Sequence, residues 1–505
     1  MNKNLPIKIF KPRKNDITSN NTSGSNKYFC KITNDLKKDL ISQFENLNTF
    51  YSNIFKYNNN IPAIGKITLK DDAIAKSHRP NRLLKYCPII GVGKLNELYI
   101  KLTQEGIENT IKDIQNPNAK ALKANMTTIK IIKPYLCKDK ISLSLKEHNN
   151  QKNFNLIKDK IKVKLFDFEN EEDNKRIKNY FFHELEKLEA NYLKTVDFGN
   201  KINFLKIKAQ SYQDILKLSK INGIKTIDFF QSFSTISDSN KNNEATNLLE
   251  NDITQTSDTV IGIIDGGISP QNKYLSKYIY DTEEFVDPKY QNHNHATFIA
   301  SMIQYGNKLN SLPGDNKKYK FLDIIAIPNG DKKSGPVGSL SSDELMIIIE
   351  KVMKKHSEKI KIWNLSLNME SQKCGDIVST LGEFLDYIQN KYNIQIFVSS
   401  GNINNEPIRK WPPQNNLGEH DRLLSPADSV KSITVGSLAH KESNHSIVNK
   451  NEPSPFSRRG PGANYIVKPE LVDYGGNISK NPNDELGMKG LDPNGNITEG
   501  IGTSF

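Results

Sequence analysis

The chain has 505 residues, of which 36% are hydrophobic and 25% are charged, and its formal net charge is +13 at pH 7. This length predicts two or three domains, each large enough to bury a core. No stretch approaches the roughly 20 apolar residues that a membrane-spanning helix needs, so we expect no membrane segment. Lysine is spread along the whole chain and forms no basic stripe, which argues against a nucleic-acid-binding protein.

The start of the chain and its cysteines indicate the compartment. Residues 1–16 are rich in lysine and asparagine and lack the apolar segment of a secretory signal. The cysteines are scattered without the spacing of metal ligands. They are Cys30, Cys87, Cys137 and Cys374. We therefore expect free thiols in a reducing compartment and a cytoplasmic protein.

The first region, residues 1–150, has an α+β pattern. A strand is predicted over residues 94–102, a helix near 107–114 and a second strand over 127–132. Residues 201–208 precede a helix and a strand in the same order. We therefore interpret residues 1–150 as an accessory α+β region and as a candidate first copy of an internal duplication.

The second region, residues 158–233, predicts strands and helices in the βαββαβ order of ferredoxin-like domains. The predicted elements are a strand at 161–166, a helix at 172–188, a strand pair within 192–208, a helix at 213–219 and a strand at 224–230. Residues 234–257 follow, rich in Ser, Asn, Thr and Asp. Their composition predicts an exposed linker and a candidate processing site.

From residue 258 helices and strands alternate. Residues 260–264 form a short apolar run rich in β-branched residues, which is typical of a buried parallel strand. Apolar residues at helical spacing predict helices over 345–353 and 377–388, and each is followed by a predicted strand. We therefore expect an α/β fold with a mostly parallel sheet and helices on both faces.

Two polar residues stand where such a fold binds ligands. Asp265 follows the first strand, at the edge where open α/β sheets form their crevice. Roughly thirty residues later, His295 begins a helix of small and apolar residues. Taken alone, an Asp after a strand is more often a turn or cap residue, and we assign no role to the nearby loop histidine His293.

Three motifs in this half resemble those of a known family. Asp265-Gly266-Gly267-Ile268 resembles Asp-Ser/Thr-Gly-Ile/Val, and residues 295–301 resemble His-Gly-Thr-His-Val-Ala-Gly. Gly502-Thr503-Ser504-Phe505 resembles Gly-Thr-Ser-Met/Phe-Ala. These are motifs of the subtilisin-like serine peptidases, the subtilases, in the family's chain order. Further matches lie in order at 363–368, 398–402, 425–436 and 456–470. The resemblance therefore covers residues 258–505.

The resemblance implies a serine endopeptidase with an Asp-His-Ser triad. Ser504 would attack the peptide carbonyl, and His295 would accept its proton because imidazole titrates near neutral pH. Asp265 would orient the imidazole and stabilise the imidazolium. A peptide or protein is the implied substrate.

Four further residues are implied to contact the substrate. Asn402 would donate to the oxyanion of the tetrahedral intermediate, although a Gly-Asn pair is often a simple turn. Ser366, Leu367 and Gly401 would lie along an extended peptide that pairs as an added strand. No cofactor is expected. Structural calcium is common in the family, but no acidic loop of the sequence supplies identifiable ligands, so we assign no metal site.

The chain departs from the family pattern at several positions. Ala296 and Phe298 replace a glycine and a second histidine, and both should be tolerated at a helix start. Asn368 replaces a glycine, which would narrow the cleft or alter the substrate preference. The family continues beyond the serine with a long core helix, so we expect the catalytic domain at 258–505 to be incomplete at its carboxyl end, as a fragment or a truncated product.

The resemblance leaves two questions open. Subtilase propeptides are ferredoxin-like and directly precede the catalytic domain, so residues 158–233 are implied to be a propeptide that contacts the catalytic domain within the chain. The alternative is a permanent accessory domain that docks substrates. For the protein as a whole, the alternatives are a catalytically inactive subtilase fold that binds or regulates a partner, and a scaffold built on the amino-terminal domains.

Overall fold

The computed structural model describes most of the chain in segments. The described residues are 27–142, 145–146, 161–188, 191–199, 202–209, 211–230, 232–234, 240–243, 249, 256–314, 317–367, 373–375, 377–403, 408–413 and 420–505. They divide into two compact units. The first comprises Met1–Tyr135 and Asp167–Tyr180, and the second comprises Leu136–Phe166 and Phe181–Phe505.

The first unit contains a four-stranded antiparallel sheet with the strand order β2-β3-β1-β4. Its helices are α1 (Asn34–Phe50), α2 (Ser52–Tyr57), α3 (Gln104–Gln115) and α4 (Lys120–Met126), and its strands are β1 (Ala63–Leu69), β2 (Ile89–Val92), β3 (Glu97–Leu102) and β4 (Ile129–Pro134). Helices α1 and α3 bury apolar stripes in one core with the sheet. The core includes Leu40, Phe44, Ile67, Ile100 and Ile107.

The next elements follow the predicted ferredoxin-like order. They are α5 (Cys137–Lys140), β5 (Ile161–Leu165), α6 (Glu171–Lys187), β6 (Asn191–Phe198), β7 (Ile202–Lys208), α7 (Tyr212–Ser219) and β8 (Ile224–Phe229). Their antiparallel sheet has the order β6-β7-β5-β8, which is the relative order of β1–β4 as well. The two sheets differ in one connection. In the second sheet α6 connects β5 to β6, whereas in the first sheet the segment between β1 and β2 forms only short 3-10 turns.

The carboxyl-terminal half is built on a seven-stranded parallel sheet with the order β12-β13-β11-β15-β16-β17-β18. Its strands are β11 (Thr256–Asp265), β12 (Ile279–Glu284), β13 (Lys318–Ile325), β15 (Ile362–Leu365), β16 (Gln395–Ser399), β17 (Ile433–Leu438) and β18 (Leu471–Tyr474), and its helices are α8 (Asn294–Leu309), α9 (Ser342–His356) and α10 (Thr380–Tyr392). The predicted α/β class, preceded by α+β ferredoxin-like structure, is confirmed.

Small antiparallel pairings complete the second unit. β9 (Ser232–Phe233) pairs with β14 (Leu340–Ser341). β10 (Asn240–Asn243) pairs with β20 (Ile497–Gly500), which also pairs with β19 (Met488–Leu491). The predicted linker at 234–257 lies largely outside the described residues.

The sheet of β5–β8 shares one hydrophobic core with helices α9 and α10. Phe198 on β6 packs edge-to-face against Phe384 of α10, with ring centroids 4.7 Å apart. Phe204 on β7 and Met346 on α9 belong to the same buried cluster. The ferredoxin-like sheet is therefore packed against the carboxyl-terminal half as part of its core.

A close approach between two strands explains a glycine in the centre of the parallel sheet. Trp363 on β15 is fully buried, and its indole lies over Gly262 on β11. A Cβ atom at position 262 would lie 2.1 Å from Trp363 Cε3, so a side chain cannot be placed there without moving the indole.

The sequence predicts no membrane segment and free cysteine thiols. None of the helices in the described segments is long and apolar enough to cross a membrane. All four cysteines are free thiols. Burial raises the pKa of Cys87 to about 11, which makes this thiol unreactive near neutral pH.

Candidate active site

The predicted aspartate and histidine are in direct contact. Asp265 ends the central strand β11 and is completely buried, and His295 stands in the first turn of α8. The distance between Asp265 Oδ2 and His295 Nδ1 is 2.7 Å. The other carboxylate oxygen accepts a hydrogen bond of 2.6 Å from Gly266 N. Asp265 thus holds the imidazole by one nitrogen and leaves the other nitrogen available.

The environment of His295 makes its imidazole more basic. Burial favours the neutral ring, but the charge of Asp265 and the hydrogen bond to it outweigh burial and raise the pKa of His295 above 6.5. The imidazolium is therefore stabilised, as a general base that must carry a proton in the transition state requires.

The turn after Asp265 is tightly built. The backbone oxygen of Asp265 accepts from Ala326 N at 2.8 Å and from Ile327 N at 3.0 Å, which ties it to the end of β13. Gly267 has a φ of +98°, in the region that favours glycine. A Cβ atom there would lie 2.9 Å from His293 Nδ1. His293 therefore packs against this turn, and its backbone oxygen accepts from Thr297 N at 3.1 Å at the start of α8.

Ser504 lies beside the end of β15. Its Oγ donates to Ser366 O at 3.4 Å, and Ser366 Oγ donates to Ser504 O at 3.0 Å. Ser366 thus fixes the backbone of the predicted nucleophile. The long Oγ contact leaves the hydroxyl weakly held.

Asn402 is held by its neighbours through its oxygen. Its Oδ1 accepts from Thr503 N and from Thr503 Oγ1, both at 3.0 Å. Arg458 Nε donates to Asn402 O at 2.8 Å. Because Oδ1 is occupied by Thr503, the amide nitrogen Nδ2 is turned the other way and can donate to a ligand.

One cavity connects these residues. It has a volume of about 110 Å³, and His295, Asn402 and Ser504 all contribute to its wall. Phe298, which replaces the family's second histidine, contacts the Phe505 ring in a tilted arrangement with a centroid distance of 4.4 Å. The two rings form an apolar side of the cavity. His295, Asn402 and Ser504 therefore border one cavity, in which the Ser504 hydroxyl is hydrogen-bonded to Ser366 O.

The other predicted substrate-binding residues border this site in different ways. Gly401 has a φ of +99° and donates its N–H to Thr503 Oγ1 at 3.1 Å. The Leu367 side chain is buried in the core of the catalytic half, which leaves only its backbone for a substrate. The prediction for Asn368 lies outside the described residues.

Sequence reasoning missed three contacts of the site. Thr503 positions Asn402, and its place between Gly502 and Ser504 gave no sign of that role. Arg458 reaches Asn402 from 56 positions away in the sequence. Asp323 accepts a hydrogen bond from Ile268 in the turn after Asp265. The sequence indicated this residue only as an acidic side chain inside a largely buried strand.

No group of three or more His, Cys, Asp or Glu side chains in the described segments is arranged to hold a metal ion.

A parallel α/β sheet with an Asp–His pair at its carboxyl edge, and with a serine in the same cavity, defines the class of serine hydrolases. Within that class, residues 256–505 match the Subtilase family, and this half of the chain belongs to that family of serine peptidases.

Similar proteins were found by sequence and by structure. A segment of 125 residues is 35% identical to the uncharacterized protein y4bN of Sinorhizobium fredii (strain NBRC 101917 / NGR234), covering 21% of this chain and 29% of that protein. The chain thus matches less than a third of the relative's length.

Solved structures resemble the chain at low identity. A cold adapted subtilisin-like serine proteinase is 16% identical, with 55% of this chain and 77% of that chain covered and a TM-score of 0.31. The patellamide maturation protease PatA is 16% identical, with 50% and 75% covered and a TM-score of 0.31. MycP1 from Mycobacterium smegmatis is 16% identical, with 55% and 74% covered and a TM-score of 0.30.

Proposed function

We propose that the chain is a serine endopeptidase in which Asp265, His295 and Ser504 form the catalytic triad. The observation that carries the proposal is the 2.7 Å contact between Asp265 and His295 at the wall of a cavity that Ser504 also lines. A buried carboxylate paired with an imidazole at the edge of a parallel sheet suits general-base activation of a hydroxyl.

The reaction begins with the serine hydroxyl. Ser504 Oγ leaves its long contact to Ser366 O and transfers its proton to the free nitrogen of His295 as it attacks the peptide carbonyl carbon. Asp265 stays ionised and stabilises the imidazolium. His295 then donates this proton to the leaving amine, and an acyl-enzyme remains on Ser504. Water, activated by the same imidazole, hydrolyses the ester and regenerates the serine.

Asn402 supplies the oxyanion donor. The Thr503 groups that bind its Oδ1 direct Nδ2 toward the cavity, where the carbonyl oxygen becomes negative. The hydrogen bond from a prepositioned donor becomes stronger as negative charge develops on the carbonyl oxygen. It therefore lowers the activation barrier, and the site does not have to rearrange during the reaction. These steps require only protein groups and water, so we propose no cofactor.

A fluorophosphonate probe tests the proposal, because it reacts with a serine only when a neighbouring base activates it. We expect labelling of the wild-type chain, its loss in Ser504→Ala and its loss in His295→Ala. Ser77→Ala removes an exposed serine of the first unit and should label as the wild type does. A folded wild-type chain that is not labelled would refute the peptidase and favour an inactive subtilase fold that binds a partner.

A second function is proposed for the ferredoxin-like sheet. Its β7 places Lys206 against Asp343 at the start of α9, and Lys164 on β5 pairs with Glu383 on α10. The segment after the sheet continues as β9 and pairs with β14. These contacts suit an intramolecular propeptide that assists folding, and we propose that it also inhibits the peptidase. A permanent docking domain would use the same contacts, and a processing experiment described below separates the two.

A further inference from the structure

Asp323 is a carboxylate buried beneath the proposed triad. It interrupts the apolar run of β13, where Leu322 and Ile324 are its chain neighbours, and only 1% of its surface is exposed. Strand β13 lies directly beside β11, and Asp323 is the register partner of Ile263, two residues before Asp265. A charged group at such a position is costly unless its charge or its hydrogen bonds are satisfied.

One oxygen of Asp323 holds the turn that carries Asp265. Ile268 N donates to Asp323 Oδ2 at 2.9 Å. The next residue, Ser269, donates its N–H to Thr297 Oγ1 on α8, also at 2.9 Å. The turn is therefore fixed at one point by β13 and at the next by the helix that carries the catalytic histidine.

The other oxygen, Oδ1, is buried and has no hydrogen-bond partner in the part of the chain that the structure describes. The charged groups that act on the carboxylate are Asp265 on β11 and the exposed Glu284 on β12. Helix α8 contributes Thr297, which is uncharged, to this turn, and His295, which pairs with Asp265. Burial is the largest cause that raises the pKa of Asp323 to about 7; the Ile268 amide opposes the rise, and the two carboxylates add to it. Both charged neighbours are negative.

We propose that Asp323 is a positioning residue for the triad, whose carboxyl group holds the turn after Asp265 and whose charge state controls the basicity of His295. The proposal rests on the proposed function, because it concerns how the Asp265–His295 pair is charged during catalysis. Two neighbouring buried carboxylates are not both ionised cheaply, and Asp265 is the one paired with an imidazole. Asp323 therefore takes the proton.

This arrangement links two titrations. When Asp323 loses its proton, a second negative charge appears near the Asp265–His295 pair and stabilises the imidazolium. His295 is then protonated up to a higher pH than Asp265 alone would cause. The loss of activity on acidification should therefore begin at a higher pH in the wild type than in a protein with a neutral residue at position 323.

Asp323→Asn separates charge from structure, because the amide oxygen still accepts from Ile268 N while the charge is removed. We expect the acid limb of kcat/KM to move to lower pH by about half a unit or more, with the plateau rate within about twofold of the wild type. Asp323→Ala also loses the acceptor for Ile268 N, so it should show the same shift and a lower rate at every pH. Asp281→Asn, an exposed carboxylate on β12, should show neither effect.

A titration independent of catalysis keeps the proposal testable. The imidazole of His295 is titrated by NMR in the Ser504→Ala background, with and without Asp323→Asn. A lower His295 pKa in the double variant supports the proposal even if no hydrolysis is ever detected. An unchanged His295 pKa overturns it, and so does an unchanged acid limb in an active enzyme, while leaving the peptidase proposal intact.

Discussion

Lys206 and Asp343 form a buried ion pair that joins the ferredoxin-like sheet to the catalytic half. Lys206 Nζ donates to Asp343 Oδ2 at 2.7 Å, and the two side chains are 5% and 0% exposed. Lys194 lies 3.2 Å from the same oxygen, and Ser341 Oγ donates to the other oxygen at 2.7 Å. Burial opposes the ionisation of Asp343, but these hydrogen bonds and charges outweigh it and lower its pKa.

Removing one partner of this pair should be costly. Asp343→Asn leaves Lys206 buried without a counter-charge, and we expect unfolding in urea to show a loss of about 3–5 kcal/mol. Lys206→Met should cost less, because Lys194 still faces Asp343. The double variant Lys206→Met/Asp343→Leu should recover much of the loss. If all three variants lost the same free energy of unfolding, the two side chains would stabilise the protein by packing and not by their charges.

The pair also predicts how stability depends on pH. The folded pKa of Asp343 lies below its unfolded value, so its contribution is present above the unfolded pKa and is lost as pH falls through the folded pKa. Wild-type stability should therefore decline more as the pH falls below about 4, the usual pKa of an unfolded Asp, than that of the double variant. The midpoints of urea unfolding, measured for both proteins across this pH range, test the direction of this effect. If the two proteins lost stability equally as the pH falls, the lowered pKa of Asp343 would be contradicted.

Such a pair marks the limit of what the sequence can predict. Asp265 and His295 were found because each stands in a local motif, and their strand and helix follow from local hydrophobic spacing. Lys206 and Asp343 are separated by 137 positions, and each looks like an ordinary surface charge until the fold brings the two together. Asp323 was missed because a strand pattern tolerates one polar residue without revealing what that residue contacts.

The pH dependence of activity should follow His295. The imidazole must be neutral to accept the serine proton, and its pKa is raised, so kcat/KM should fall on acidification with a midpoint above pH 6.5. Asp265→Asn removes the charge that raises this pKa, so the midpoint should move to lower pH. The plateau rate should also fall by roughly 10,000-fold, because the imidazole loses its correct tautomer. A midpoint that is unchanged in Asp265→Asn would contradict the pairing.

The role of Asn402 can be separated into donation and positioning. Asn402→Ala should lower kcat by about 100- to 1,000-fold with little change in KM, the size known for loss of the oxyanion donor in subtilisin itself. Asn402→Asp keeps an oxygen for Thr503 but supplies no donor, so it should be as impaired. Thr503→Val keeps the backbone contact and should lose only about tenfold. Activity retained in Asn402→Asp would reassign Asn402 to a structural role.

Gly262 should not tolerate a side chain. The Cβ atom of Gly262→Ala would lie 2.1 Å from the Trp363 ring in a fully packed core, so we expect a loss of at least about 3 kcal/mol in urea unfolding. Gly375→Ala is the matched control, since a Cβ atom there meets nothing within 4 Å. Its stability should stay within about 0.5 kcal/mol of the wild type. Similar losses in the two variants would contradict the steric explanation, because only the side chain at position 262 meets the Trp363 ring.

The fate of the ferredoxin-like sheet is decided by processing of the purified chain. If the sheet is a propeptide, the wild type should yield two fragments divided within residues 234–257, and Ser504→Ala should remain intact because it lacks the nucleophile. Mixing the wild type with Ser504→Ala distinguishes cleavage within one chain from cleavage between chains. A wild-type chain that stays intact and hydrolyses peptides would exclude a removable propeptide. The contact of Lys206 with Asp343 would then hold a permanent domain against the start of α9. Substrates that dock on this domain should compete with one another for binding, whatever residues flank their cleaved bonds.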